Sequence, residues 1–216
     1  MTAAVRYYAS LMTRRQTVLA PVLIFLAVLG AVYASDAGPP LAAAAVPAAT
    51  LVPIGAWLMW LCATSESRAF ADVTLVVAGS SGRRLASRLL AVAGIGTALT
   101  AAACGWAVVA NPHPYPAVVV LEITAMNLSA AAAGIGLGAV FAPPLRTTAG
   151  VAVLATTAFV VVSLIVGWMP PLGPLLHAFL AVRPPSGARA ALAVGQAAAF
   201  GALLAALAHV LGRRAG

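Results

Sequence analysis

Apolar runs of about twenty residues follow one another along this chain, and charged residues are nearly confined to the gaps between them. A helix of about 20 apolar residues crosses the hydrocarbon core of a bilayer. Only 7% of the 216 residues are charged, whereas a soluble domain carries roughly 25% charged residues. A chain of this kind cannot build an ordinary water-facing surface, so we expect an integral membrane protein.

Six of the apolar runs qualify as membrane-spanning helices. The predicted spans are roughly Thr17–Ser35, Leu41–Ala63, Leu89–Ala110, Ala117–Phe141, Gly150–Met169 and Ala190–Leu211. Prolines at the joins fit this division, because proline breaks helices and favours turns. Pro21, Pro47 and Pro53 fall inside spans, where neighbouring helices tolerate kinks. We therefore predict an all-α fold with one transmembrane domain over residues 1–216.

The arginines orient the predicted bundle. All twelve basic residues are arginine, and the net charge is +8. If the N-terminus lies in the cytosol, only Arg183 and Arg189 fall outside, and the other ten arginines face the cytosol, as the positive-inside rule requires. We expect a multi-pass protein of the cytoplasmic membrane with both termini in the cytosol. Because the arginines punctuate apolar runs instead of forming one polar face, they indicate a bilayer partner and exclude nucleic-acid binding.

The segment between the second and third spans, Ser65 to Arg88, raises two alternatives. It contains Gly79-Ser-Ser-Gly82, which matches the GxSG pattern around the nucleophile of intramembrane serine proteases, with His209 as an available base. Three arginines follow directly, at positions 83, 84 and 88. Each arginine costs roughly 2.5–3.5 kcal/mol at a helix centre. The segment therefore belongs at the cytosolic surface, which argues against a protease.

The same segment predicts a short amphipathic helix over Phe70–Val77. Apolar side chains recur at i, i+3 and i+7, on Phe70, Val73 and Val77, with Asp72 between them. Such a helix lies along the interface or docks on a partner. The glycines and serines that follow are expected to form a turn, and the arginines after them to hold the third span at the headgroups. A plain solvated loop is the alternative.

The order of these features resembles the type 2 ABC transporter permeases, the exporter-type membrane subunits. There the loop after the second span forms a coupling helix that fits a cleft of the ATPase. Ser80-Ser-Gly-Arg83 stands where that family commonly has a Pro-Val-Ser-Arg-like turn, without its proline. Val5–Met12, before an Arg-Arg pair, resembles the interfacial connecting helix. Pro171–Leu180, too short to cross a membrane, resembles the extracellular re-entrant helix before span six.

The resemblance implies a transport subunit without enzymatic activity or a cofactor of its own. ATP and Mg²⁺ would bind a separate cytosolic ATPase, and a second permease subunit, identical or different, would complete the pathway. A hydrophobic or amphipathic substrate, such as a lipid, drug or peptide, would leave by alternating access. The residues expected to couple to the ATPase are Glu66, Arg68, Phe70, Asp72, Val73, Val77, Arg83 and Arg84.

Polar residues inside the spans offer a second reading. Glu122 is the only acid within a predicted span, and an intramembrane acid is a functional candidate by default. It lies near the outer end of the fourth span, where a pair with Arg189 could instead satisfy it. Asn127 and Gln196 are further candidates for a substrate pathway. The alternative function is a stand-alone, ion-coupled carrier or a membrane accessory protein that uses Glu122, and a membrane enzyme ranks third.

Two further patterns concern metal binding and helix packing. The histidines and the two cysteines, Cys62 and Cys104, lack the spacing of a metal site. Gly134 and Gly138 form a Gly-xxx-Gly pair in the fourth span. Small residues at this spacing let helix backbones approach closely in lipid. The pair therefore predicts close packing, although the sequence does not say against which helix.

Overall fold

The computed structural model describes residues 2–66, 74, 79–142, 147–167, 173–181 and 186–214. The helices are α1 (Thr2–Arg14), α2 (Leu19–Val32), α3 (Pro40–Ala63), α4 (Ser81–Ala110), α5 (Ala117–Phe141), α6 (Ala149–Val166), α7 (Gly173–Leu180) and α8 (Gly187–Arg214), and a 3-10 turn, Gln16–Val18, precedes α2. Across these ranges no β-strand occurs, so the predicted all-α class is confirmed there. The amphipathic helix predicted over Phe70–Val77 lies outside the described residues, except for Thr74, which is helical.

Five helices are long and apolar enough to cross a membrane, namely α3, α4, α5, α6 and α8. The first predicted span is shorter than expected. Its helix α2 has 14 residues, which extend over about 21 Å, against a hydrocarbon core of about 30 Å. It reaches spanning length only together with α1, from which it is bent by 81°. The described chain is thus a multi-pass membrane protein with five spanning helices, or six if the bent pair counts as one.

The N-terminal helix α1 packs against protein with one face. Tyr8 and Met12 on that face are buried, and the helix contacts the beginning of α4. Arg6, Ser10 and Arg14 lie on its exposed side. Arg15, after the helix, has an extended backbone with φ −89° and ψ 117°, and this is where the chain turns into α2. The helix predicted over Val5–Met12 is therefore present, and the protein itself covers its apolar side.

The centre of the bundle is the crossing of α3 and α5, whose apolar stretches are each 67% buried. A Cβ atom on Gly138 would lie 2.6 Å from the carbonyl oxygen of Ala56, and one on Gly134 would overlap the carbonyl oxygen of Val52. From the other side, a Cβ on Gly55 would lie 3.0 Å from the carbonyl oxygen of Ala131. The Gly-xxx-Gly pair therefore lets the backbones of these two helices meet, and its partner is α3.

The other long helices form an outer layer around this crossing. Only 22% of the apolar stretch is buried in α6 and α8, and 33% in α4. Helix α8 packs on α5, where Leu204 fills the space beside Gly136. The large exposed side chains of this layer are apolar, as in Leu154, Ile165 and Leu203. Lipid-facing helices have this distribution, because hydrocarbon, unlike water, places no penalty on exposed leucine or isoleucine.

Two predicted boundaries need correction. The turn expected over Gly79–Gly82 is confined to Gly79, with φ +74°, and Ser80, which caps α4 by accepting a hydrogen bond from the Arg83 backbone N–H. Ser81 and Gly82 already belong to the helix, because a serine N-cap supplies a partner for an otherwise unpaired N–H. Helix α6 ends at Val166, before the predicted end of the fifth span, and Gly167 follows with φ +63°.

Candidate functional site

A buried ion pair joins the cytosolic ends of α3 and α4, named from the predicted orientation. Glu66 is the third residue after the end of α3, and Arg88 lies two turns into α4. The Arg88 Nη2 atom donates to Glu66 Oε2 at 2.5 Å, and the two side chains are only 7% and 1% exposed. Since removing two charges from solvent is costly, such a pair persists only where its geometry is held tightly. It fixes the two ends of the segment between α3 and α4 against each other.

Tyr8 of α1 covers this ion pair. Its ring lies 5.2 Å from the Arg88 guanidinium carbon, a cation–π contact. Burial raises the pKa of the Tyr8 phenol and outweighs the opposing effect of the Arg88 charge, so the ring stays neutral. Tyr8 Oη, Glu66 Oε1 and Arg88 Nε have no hydrogen-bond partner within the part of the chain that the structure describes. We call Tyr8, Glu66 and Arg88 the junction cluster.

Two further hydrogen bonds tie the same end of α3 to its surroundings. Arg15, between α1 and α2, donates to the carbonyl oxygen of Ser65 at 2.7 Å. The indole N–H of Trp60 donates to the carbonyl oxygen of Thr147, before α6, at 2.9 Å. The last turn of α3 is thereby connected to α1, α4 and the loop before α6.

The structure places only some of the residues predicted to couple to an ATPase. Glu66 points inward into the junction cluster. Arg83, in the first turn of α4, is exposed, and Arg84 is half-buried and engaged in contacts of its own. The remaining predicted residues, Arg68, Phe70, Asp72, Val73 and Val77, lie outside the described residues. Direct contact of this set with an ATPase stays a prediction.

The Gly-Ser-Ser-Gly motif serves as a helix start. The Ser80 hydroxyl oxygen accepts from the Arg83 N–H at 3.2 Å, which is a capping contact. The imidazole of His209 packs beside Gly82, with Cε1 3.6 Å from the position of a Cβ there. Ser80 is exposed. This geometry is that of a capped helix at the surface and offers no enclosed site for a serine nucleophile.

Glu122 forms a second buried ion pair, at the opposite end of the bundle. Its carboxylate, fully buried, has Oε1 2.9 Å from Arg189 Nη1, although the N–H direction does not meet hydrogen-bond geometry. Its Oε2 accepts from the backbone N–H of Ser186 at 3.2 Å. Ser186 immediately precedes α8, so the carboxylate also binds near the positive end of that helix. The pair with Arg189 anticipated from the sequence is confirmed, and it fastens the start of α8 to α5.

The other two pathway candidates lie apart from Glu122. Asn127 is 1% exposed on α5. Its Nδ2 atom lies 3.9 Å from Cys104 Sγ, and its side-chain Oδ1 atom has no partner among the described residues. Gln196 is half-buried on α8. No hydrogen bond connects these three side chains to one another in the described ranges, so a continuous polar pathway through them stays a prediction. Those ranges likewise hold no group of three His, Cys, Asp or Glu side chains that could bind a metal ion.

Sequence reasoning found the members of the junction cluster but not their arrangement. The sequence predicts that Glu66 faces an ATPase and that Arg88 faces the headgroups, and it places Tyr8 only within the interfacial helix over Val5–Met12. One signal could have paired the two charges. Consecutive spans run antiparallel, so an acid just after the second predicted span and a base at the start of the third predicted span lie on the same side of the membrane. The burial of the pair under α1 has no counterpart in the local sequence.

The fold and the junction cluster define a class: a multi-pass helical membrane protein in which a buried ion pair joins the end of α3 to the beginning of α4. Comparison of the chain with protein-family models, characterised proteins and solved structures gives no match.

Proposed function

We propose that this chain is the membrane-spanning subunit of an ATP-driven exporter of the type 2 ABC permease kind. The observation that carries the proposal is the buried Glu66–Arg88 pair under Tyr8. It holds both ends of the segment between α3 and α4, the segment that the sequence predicts to dock on an ATPase. A segment attached in this way can pass a displacement on to both helices.

The energetics of the pair support this role. The two side chains are 7% and 1% exposed, so separating them would leave two buried charges without a counter-charge. Losing one partner of such a pair costs about 3–5 kcal/mol. The ends of α3 and α4 therefore move together, since the penalty opposes their separation. The connections of Arg15 to Ser65 and of Trp60 to Thr147 extend the same coupling to the N-terminal helix and to the loop before α6.

The partners follow from this proposal. ATP and Mg²⁺ bind a separate cytosolic ATPase, a second permease subunit completes the pathway, and the substrate is hydrophobic or amphipathic. Closure of two ATPases displaces the docking segment, and the helices exchange an inward-open for an outward-open state. The exposed Arg83 at the start of α4 is suited to meet an acidic side chain of the ATPase.

The test is ATP-driven transport in reconstituted vesicles containing this chain and the ATPase that copurifies with it. Glu66→Arg places two guanidinium groups together and should uncouple ATP hydrolysis from transport while the chain still inserts. The charge swap Glu66→Arg with Arg88→Glu should restore part of the coupling. Asp36→Arg, a charge reversal at an exposed site on the opposite side, is the matched control; it gives up the contacts of Asp36 with His113 and the Gly38 N–H but should leave the coupling of ATP hydrolysis to transport unchanged. Absence of any bound ATPase, or transport that continues without ATP, would overturn the proposal.

A further inference from the structure

A cavity of about 350 Å³ opens between α3, α6 and α7, away from both ion pairs. Its walls include Ala49 and Pro53 of α3, Thr157 and Val160 of α6, and Leu176 and Leu180 of α7. The alanines of α3 leave room between α3 and α6, because their side chains are small. Val46 and Leu180, both half exposed, stand at its open side. In a spanning bundle that side faces acyl chains.

Among the residues that the structure describes, the lining offers no free polar group to a ligand. The two hydroxyls present are bonded within their own helices, Thr50 to the carbonyl of Val46 and Thr157 to the carbonyl of Val153, each at 2.8 Å. None of the described lining residues carries a charge. An apolar space of this kind stays dry, and leaving it empty forfeits dispersion contacts along its walls. Its volume is at the lower end of the ~300–1,000 Å³ range of small-molecule sites, which suits one chain and excludes a headgroup.

A side-chain contact holds the wall that α7 contributes. His177 Nε2 lies 2.6 Å from the carbonyl oxygen of Leu164. A carbonyl can only accept, so Nε2 carries the hydrogen. Glycine is required at 167, because the backbone has φ +63° there and a Cβ would lie 3.1 Å from the same imidazole. Helix α7 is thereby held against the end of α6 with Leu176 turned inward, 1% exposed.

We infer that this cavity binds one acyl chain of a membrane phospholipid. The cavity is lined by the first half of α3 and the second half of α6, which is the membrane half farther from the arginine-rich side. With the orientation expected from the arginines, the lipid belongs to the outer leaflet. The site requires neither ATP nor a partner subunit, so it stands or falls separately from the exporter proposal.

The experiment uses the full chain, purified in a steroid-based detergent without alkyl chains, without an ATPase. It is incubated with a phosphatidylglycerol that carries a photoreactive diazirine on one acyl chain, and after illumination the adducts are located by mass spectrometry. Adducts are expected on the cavity residues of α3 and α6. Ala49→Phe and Thr157→Phe should each abolish them by filling the space. Leu154→Phe, at a lipid-facing site on α6 outside the cavity, is the matched control and should retain them.

The thermal midpoint of each variant separates loss of the site from loss of the fold. Thr157 is exposed and bonds only within its own helix, so its variant should unfold like the wild type even if Ala49→Phe does not. Adducts spread evenly over exposed residues such as Leu154 and Ile165, and unaffected by either filling variant, would overturn the inference. Adducts that appear only on a dimeric band and disappear on dissociation would also overturn it, because a second copy would then occupy the cavity wall.

Discussion

Arg88 is the point at which α1, α3 and α4 meet through side chains. Its guanidinium binds Glu66 at the end of α3 and lies over the Tyr8 ring of α1. An arginine that is 7% exposed at the edge of a membrane has two alternatives, to extend to the headgroups or to find a partner inside. Arg88 pairs with Glu66 inside the protein. The arrangement joins the N-terminal helix to the two spans on either side of the predicted docking segment.

Substitutions at Tyr8 separate the contribution of its ring from that of its hydroxyl. The hydroxyl meets no strict hydrogen-bond geometry among the described residues but interacts with Arg88 and Glu66, so Tyr8→Phe should cost only about 0.5–1.5 kcal/mol, since phenylalanine also forms cation–π contacts. Tyr8→Ala should cost about 3–5 kcal/mol, because it opens a cavity and uncovers Arg88. Thermal unfolding in detergent measures both. A Tyr8→Phe variant as unstable as Tyr8→Ala would show that the hydroxyl has an essential partner.

Glu122 separates the exporter from the ion-coupled carrier. Both carboxylate oxygens face partners of the same chain, Arg189 and the N–H of Ser186. Glu122→Gln keeps an acceptor for the Ser186 N–H but loses the ion pair. We therefore expect the free energy of unfolding to fall by about 1–3 kcal/mol, which lowers the thermal midpoint, and transport to be retained. Asp36→Asn, an exposed acid, is the control and should change neither. Loss of transport at unchanged stability would instead support the carrier.

Among the helices, α3 and α5 match their predicted boundaries best, and the reason is physical. Each is bounded by turn residues at both ends, such as Pro39 and Pro116 at the N-terminal caps, and each is predominantly apolar between them. Helix α4 extends two turns before its predicted start, because an arginine-rich stretch can be helical outside the hydrocarbon. The 81° bend between α1 and α2 agrees with an interfacial helix before a span, although no proline or glycine lies between the two helices.

Burial was the least predictable property of the candidate sites. The sequence placed Glu122 near Arg189 because each is an isolated charge near the same membrane surface. It could not place Glu66 inside the protein, because that depends on α1 folding back over the end of α3. The partner of Gly134 and Gly138 was equally hidden, since a small residue shows where two backbones can meet but not which ones do.

Glycine-to-alanine substitutions test the helix crossing. Gly138→Ala would place a methyl group 2.6 Å from the carbonyl oxygen of Ala56 and should destabilise the protein by about 1–3 kcal/mol. Gly94→Ala, where nothing lies within 4 Å, should stabilise α4 by roughly 0.5–1 kcal/mol. Thermal midpoints in one detergent compare the two. Equal midpoints would show that α3 and α5 do not approach this closely in the membrane.

At the scale of the whole molecule, exposed residues at the two ends of the bundle test its direction. In a background without Cys62 and Cys104, a cysteine at Asp36, before α3, should react with a membrane-impermeant thiol reagent added to intact cells. A cysteine at Arg83, at the start of α4, should react only after the membrane is opened, because the arginine-rich side is expected in the cytosol. Both positions are exposed. The reverse labelling pattern would invert the topology and place the docking segment outside.

The backbone contact between α3 and α5 also limits how this protein can move. Gly55, Gly134 and Gly138 bring backbone atoms of the two helices into direct contact, so sliding or rotation of one past the other would drive a carbonyl oxygen into a Cα. The pair must travel as one rigid body. Any change between two states of the bundle then falls to the parts of α4, α6 and α8 that lie away from the two ion pairs, because only 22–33% of the apolar stretch of these helices is buried.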